Sequence, residues 1–399
     1  MATVNPFKGI VYDENYRNLK ILAPPYDVID KKKREMLKRQ SEYNIVNLIL
    51  PDSYDRAKEL LDKWFEQGVL KLDEECSFYT YLAEYEFDGE KKTLKGIVAA
   101  LRVEPFGRGI KPHEKTLKGP KIDRFNLITK THAMFCPIMG LYDKSPEIGD
   151  IIEKSTRNRA IFDVNFENIN HRLFKINEKD SIKTIKRVMQ EKELIIADGH
   201  HRYETALMIK EHFNKLGIEK GGFDYIMALL IEAKGGGLVL SAIHRLIKNI
   251  DDVDDFLSKL KTYFYISKER SKVADFTMYY ANNFYYLTLK EKKSGGVLES
   301  TSSKLFENYV YKKILKLSDE DIKNERIAGF AHTVEELKNA VDSGEAKIGF
   351  ILKPISFEEL VKIAQAGLTV PQKSTYFYPK IPSGLVGYHF DSVEGCEDV

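Results

Sequence analysis

The chain has 399 residues, 43% hydrophobic and 31% charged, which suggests two or three domains with a sizeable buried core. Its 62 Lys+Arg nearly cancel its 60 Asp+Glu, so neither nucleic acid nor a membrane surface is expected as a partner. No apolar run approaches the roughly 18 residues of a membrane span, and "MATVNPFKGI" has no apolar signal core.

The predicted elements begin after "ILAPPYDVID", residues 21–30, whose two prolines cannot continue a helix and imply an extended or turning segment. A charged helix is expected from Asp30, then a strand at "NIVNLIL". "SYDRAKELLDKWFEQG" has helical spacing, with Ser53 as cap, Ala57, Leu60, Leu61, Trp64 and Phe65 on one face, and Gly68 at the end. Two β-rich arms flank Asp88 and Gly89, the clearest hairpin.

Residues 108–142 read as a polar loop, a short helix and a strand, and "RAIFDVNFENINHRLFKIN" as a second hairpin. "DSIKTIKRVMQEK" is a helix, "LIIAD" a strand, and "HHRYETALMIKEHFNKLG" a helix closed by Gly217. The strand "DYIMALLIEA", a glycine turn and "LVLSAIHRLI" follow, and helices and strands alternate from about Asp251. The expected fold is α+β in two lobes: a motif-bearing domain over 1–247 and an α/β domain over 248–399, whose tail can return to the site. Cys76, Cys136 and Cys396 lie far apart, with neither metal spacing nor a disulfide framework, which fits a cytoplasmic protein.

The densest chemistry is "LIIADGHHRYETAL", residues 194–207. A strand hands an acid, a glycine, two histidines and an arginine to a helix start. First-turn N–H groups lack intrahelical partners and the macrodipole is positive there, so an anion binds well. Gly199 allows close approach of a ligand, and Arg202 can fork onto phosphate. Asp198 can cap the helix, hold Mg2+ or accept a proton. The plainer reading is that Asp198 is only a cap and that His200 and His201 are surface polar residues; five such residues in a row after a buried strand favour function. Adjacent histidines cannot easily share one tetrahedral zinc.

"DGHHRYETA" resembles the phosphate-binding motif of the ParB/sulfiredoxin superfamily, which includes free L-serine kinases with threonine where this chain has His201. Together with "PF-G", "APPYDVI", "HEKT…K-DR" and "PQKSTYFYPK", it identifies the chain as similar to the domain-of-unknown-function family one thousand and fifteen. That family's frequent neighbourhood with serine-biosynthesis genes implies serine or phosphoserine as substrate.

A second cluster lies in "KPHEKTLKGPKIDR", residues 111–124. His113 or Glu114 can serve as base, Thr116 can touch substrate, and Lys121 and Arg124 can hold phosphate. The alternative is a solvated loop entering a salt-bridged helix. Tyr26 and Asp27 can shape a pocket wall or merely a turn. Lys373, Ser374 and Thr375 offer donors in a tail that either clamps the site or simply packs. His244 and Arg245 read as structural. The triple glycine at 235–237 lacks the Gly-Lys-Ser/Thr ending of a P-loop.

The sequence-based expectation is a nucleotide-dependent phosphotransferase on free L-serine or phosphoserine. ATP or ADP would lie on Gly199, His200, His201 and Arg202. Mg2+ would be held by Asp198, with Asp198 and His200 also candidates for the chemistry. A phosphoserine phosphatase using the same site is the close alternative. A nucleotide-binding regulator of ParB type is the alternative from another class, and the near-neutral charge argues against a nuclease.

Overall fold

A computed structural model describes residues 2–17, 20–114, 119–291, 295–323, 327–397 and 399. Strands and helices are mixed throughout, an α+β fold. The chain divides into two compact units: the described residues of the first fall within Met1–Pro112, Thr116–Leu238 and Pro379–Val399, and those of the second are His113, Glu114 and Val239–Tyr378. The expected boundary after residue 247 therefore moves. His244–Ile247 is an inner strand of the second unit's sheet, flanked on both sides, and cannot end the first.

The first unit is built on a nine-stranded sheet. Its path runs Ile110–Lys111, Leu194–Asp198, Ile138–Tyr142, Tyr225–Glu232, Glu90–Arg102, Phe78–Phe87, Ile169–Ile176, Phe162–Phe166, with Val4–Asn5 beside Glu90–Arg102. Both expected hairpins form. Asp88 and Gly89 take φ of 52° and 76°, and Glu167 and Asn168 take 52° and 62°, the left-handed pairs that a tight hairpin turn requires. Tyr225–Glu232 is buried along nearly its whole length, as expected for a strand covered on both faces. The helix Tyr54–Glu66 forms as the spacing predicts, with Ser53 accepting from the Arg56 N–H and Ala57, Leu61 and Trp64 buried.

"NIVNLIL" departs from expectation. Val46–Ile49 is a helical turn, not a strand. Asn44 decides it: the side-chain oxygen takes the Val46 N–H at 2.9 Å, while the amide donates to the Lys20 and Leu22 carbonyls. A short apolar run has no periodicity strong enough to resist that local cap.

The cysteines also depart from expectation. Cys76 and Cys396 form a disulfide across 320 positions, and Cys136 is the free cysteine. Spacing along the chain could not show this, because only folding brings the two together. Unpaired cysteines were the sequence-level support for a reducing compartment, and that support is gone. Among the described residues, no helix is long and apolar enough to cross a membrane.

The second unit holds a six-stranded antiparallel sheet in the order Phe264–Ser267, Asn283–Leu289, Phe276–Tyr280, Ile348–Leu352, His244–Ile247, Ala328–Ala331. Phe256, Phe264, Phe276, Phe306 and Phe350 anchor its core. The expected helix at "SKLFENYVYKKIL" is α-helical at Ser302–Phe306 and π-helical at Glu307–Ile314.

Candidate functional site

Leu194–Asp198 is buried over its first four residues and lies between a parallel neighbour, Ile110–Lys111, and an antiparallel one, Ile138–Tyr142. Its register shifts between Ile196 and Asp198. Such a bulge turns the strand end and re-aims its last side chain. Gly199 follows at φ 89°, and the helix His200–Lys215 starts with no side-chain cap. A Cβ on Gly199 would sit 2.8 Å from Ile138 Cγ2 and 3.0 Å from the Arg202 guanidinium. The glycine is thus required twice, by its left-handed backbone and by the guanidinium packed against it.

Asp198 is the centre of this turn. Arg202 donates to its Oδ2 at 2.5 Å, and Lys380 donates to its Oδ1. Burial on its own would raise this carboxyl. The charges of Lys380 and Arg202, with a smaller contribution from His200, hold it well below the usual carboxylate range. Burial works against the charge on Arg202, and Asp198 restores it, leaving the guanidinium more firmly protonated than usual. Arg202 also donates to the Pro137 carbonyl. Its side chain is only 6% exposed.

The fork expected to meet a phosphate is therefore engaged inside the protein. Asp198 does not cap the helix; both its oxygens serve protein cations, an arrangement closer to an ion-pair anchor than to a magnesium ligand.

Around this turn, the first unit collects Tyr26, Asp27, Lys121, His200 and His201. His200 is buried and His201 half-buried. Burial lowers the His201 ring, leaving it neutral near pH 7, within reach of the charges of Glu204, Lys121 and Asp27. Lys121, in the helix Gly119–Thr131, pairs with Glu204 at 2.5 Å.

Arg124 is held differently from the phosphate ligand expected of it. It donates to Asp123 through Nε and Nη2 and to the Ile49 carbonyl at 2.6 Å, and its guanidinium lies 4.2 Å over the Tyr26 ring. Burial pushes the Tyr26 hydroxyl up to about 12. Tyr26, Arg124, Cys136 and Arg202 share the wall of a largely apolar cavity of about 40 Å3. That is room for a few waters, not for a nucleobase.

His113, Glu114, Lys373, Ser374 and Thr375 come together in the second unit. His113 is fully buried; its Nε2 meets Thr375 Oγ1 at 2.9 Å and its ring lies edge-on to Phe377. Glu114 accepts the Lys373 N–H at 3.3 Å, and Ser374 donates to the Pro371 carbonyl at 2.6 Å. Arg245 is buried, donates to the Lys373 carbonyl at 2.8 Å, and lies over Phe330, which fits its structural reading. Thr116 lies outside the described residues.

Sequence reasoning missed Lys380 and Glu204. Lys380 ends the run "PQKSTYFYPK", whose family resemblance was its only signal. Glu204 stands one helical turn after His201, a spacing that places the two on one face.

A family described as "Protein of unknown function (DUF1015)" matches residues 4–315. No curated protein matches the sequence. Among solved structures, a conserved hypothetical protein from Pyrococcus furiosus is similar at 18% identity and TM-score 0.38, over 72% of this chain and 94% of its own. A free serine kinase in complex with AMP is similar at 15% identity and TM-score 0.40, over 72% and 90%. SbnI with C-terminal truncation, from Staphylococcus aureus, is similar at 12% identity and TM-score 0.39, over 72% and 85%.

Proposed function

The chain belongs to the family of proteins of unknown function called DUF1015, and from that premise we propose a nucleotide-dependent phosphotransferase acting on a small hydroxyl metabolite. Free serine and phosphoserine are the first substrates to test. The supporting observation is the turn itself: Gly199 at φ 89° opens a helix with no side-chain cap, and Arg202, Lys380 and Lys121 lie around it. A helix N-terminus with basic side chains beside it suits the phosphates of ATP or ADP.

Bound ATP would supply the phosphoryl group. The backbone N–H groups that open the helix at His200 and His201 would orient its phosphates, and Lys121 would offset their charge. The substrate hydroxyl oxygen forms a bond to the terminal phosphorus as the bond to the leaving phosphate breaks. The hydroxyl proton passes to a base. In the first unit, His201 is neutral and able to take it. Magnesium travelling on phosphates needs only one or two protein carboxylates, and Asp198 would fill that place only by releasing one of its cations.

The test is phosphorus NMR of the protein with serine plus ATP or ADP, and with phosphoserine with and without ADP. Turnover that requires nucleotide is the expected result. Phosphate release from phosphoserine without nucleotide replaces this reading with a phosphatase, and tight nucleotide binding without turnover replaces it with a sensor. His201→Gln then tests the base: turnover should fall about 100-fold or more.

A further inference from the structure

We propose that His389 and His132 form an acid-sensitive clasp: it holds the last strand of the first unit in place at neutral pH and lets residues 388–393 open in mild acid. The clasp does not depend on the phosphate site proposed above.

The segment is docked through these two residues. Tyr388–His389 pairs antiparallel with Ala133–Met134, and the Phe390 N–H donates to the His132 carbonyl at 3.0 Å. The Phe390 ring stacks on the His132 ring with 5.0 Å between centres, and both lie edge-on to Phe213. The His132 and His389 rings stand 6.2 Å apart. Tyr388 is fully buried, and its hydroxyl donates to the Gly222 carbonyl at 2.7 Å.

His389 has to be neutral to do its part. It caps the short helical turn Phe390–Val393: its Nδ1 accepts the Asp391 N–H at 3.2 Å, while its own N–H donates to Ser392 Oγ at 2.9 Å. Only a ring nitrogen with a free lone pair can accept. A proton placed on Nδ1 removes that lone pair, so the Asp391 amide loses its acceptor and the new N–H turns to the Asp391 carboxylate, whose Oδ2 is 3.2 Å away. One proton thus exchanges a backbone cap for a side-chain ion pair.

The surroundings make that proton costly while the segment is docked. Burial opposes the charge most, His132 and Lys58 add to the opposition, and Asp391 favours it, so the ring sits below its ordinary value. These groups come from every side: Asp391 from the turn itself, His132 from the end of the helix Gly119–Thr131, and Lys58, paired with Asp62, from the helix Tyr54–Glu66. Once the segment opens, the ring meets water and takes the proton near pH 6.5. A group that binds protons more tightly in the open form favours opening as pH falls through that value.

The experiment is hydrogen exchange of the full-length oxidised protein between pH 7.5 and 5.0, corrected for the intrinsic rate at each pH. Peptides covering 388–393 report the clasp, and peptides covering the buried strand at 226–231 report global opening. In wild type, protection of 388–393 should fall about fivefold or more relative to 226–231. His389→Asn keeps a cap and cannot titrate, so its relative fall should stay under about twofold. His132→Phe keeps the stack on Phe390 and removes one charge that opposes the proton, so its fall should be smaller than that of wild type.

A residue that only packed the segment would change protection equally at every pH. Parallel losses in the two regions of wild type overturn the clasp, and so does a His389→Asn fall as large as that of wild type. If His389→Asn does not fold, NMR titration of the wild-type His389 ring decides: a midpoint at or above about 6.5 overturns the proposal.

Discussion

Lys380 and Asp198 stand 182 positions apart in the chain and form an ion pair in the first unit. With Arg202, that pair holds the Asp198 carboxyl low, which ties stability to acid. A carboxyl whose folded value lies below its unfolded value of about 3.9 stabilises fully above that value, and loses the contribution as pH falls toward the folded one. Asp198→Asn should therefore cost about 3 kcal/mol in urea unfolding at pH 7, with Arg202 left buried and unbalanced. The difference from wild type should stay flat from pH 8 to about 5 and shrink only below about 4.

Gly199→Ala should be costly although it adds one carbon. The φ of 89° disfavours any side chain, and the new carbon would press on Ile138 and the Arg202 guanidinium. A loss of about 2–3 kcal/mol is expected. Chemical denaturation measures it, and a change under about 0.5 kcal/mol would show that the turn relaxes freely.

His171 gives a second acid dependence, of the same sign but at higher pH. It is 1% exposed, its Nδ1 meets the Tyr81 hydroxyl at 2.7 Å, and burial lowers its ring to about 4. The unfolded chain takes up this proton near pH 6.5 and the folded protein only near 4. Stability should therefore fall between those values by up to about 3 kcal/mol, and His171→Gln should flatten that slope in urea titrations across pH.

The disulfide can be checked by counting thiols. Denatured protein without reductant should show only Cys136, and reduced protein all three cysteines. Cys396→Ser should lower stability by about 2–5 kcal/mol, with reductant producing the same loss in wild type and none in the variant.

Elements with strong local signals were legible in the sequence. The capped amphipathic helix Tyr54–Glu66, the Asp88–Gly89 hairpin and the strand-to-helix turn at Asp198 all depend on neighbours in the chain. Val46–Ile49 was misread because one asparagine outweighed a short apolar run. The site was legible as a location but not as a set of contacts. Nothing local shows that Arg202 turns inward to Pro137, that Arg124 packs on Tyr26, or that Lys380 arrives from the chain's last segment. Those are long-range facts, settled by which strand ends the sheet sets side by side.

The bond between Cys76 and Cys396 has a mechanical consequence. Pull the protein by its two ends, and force enters the sulfur bridge before it can reach the 320 positions between them. The second unit then lies off the load path, and the first can yield only its residues before Cys76 and after Cys396. Reduction opens the shunt and releases about 1,100 Å of additional contour length, at 3.3–3.6 Å per residue. In single-molecule pulling the oxidised protein should behave as a short, stiff tether and the reduced protein as a long one that unfolds unit by unit.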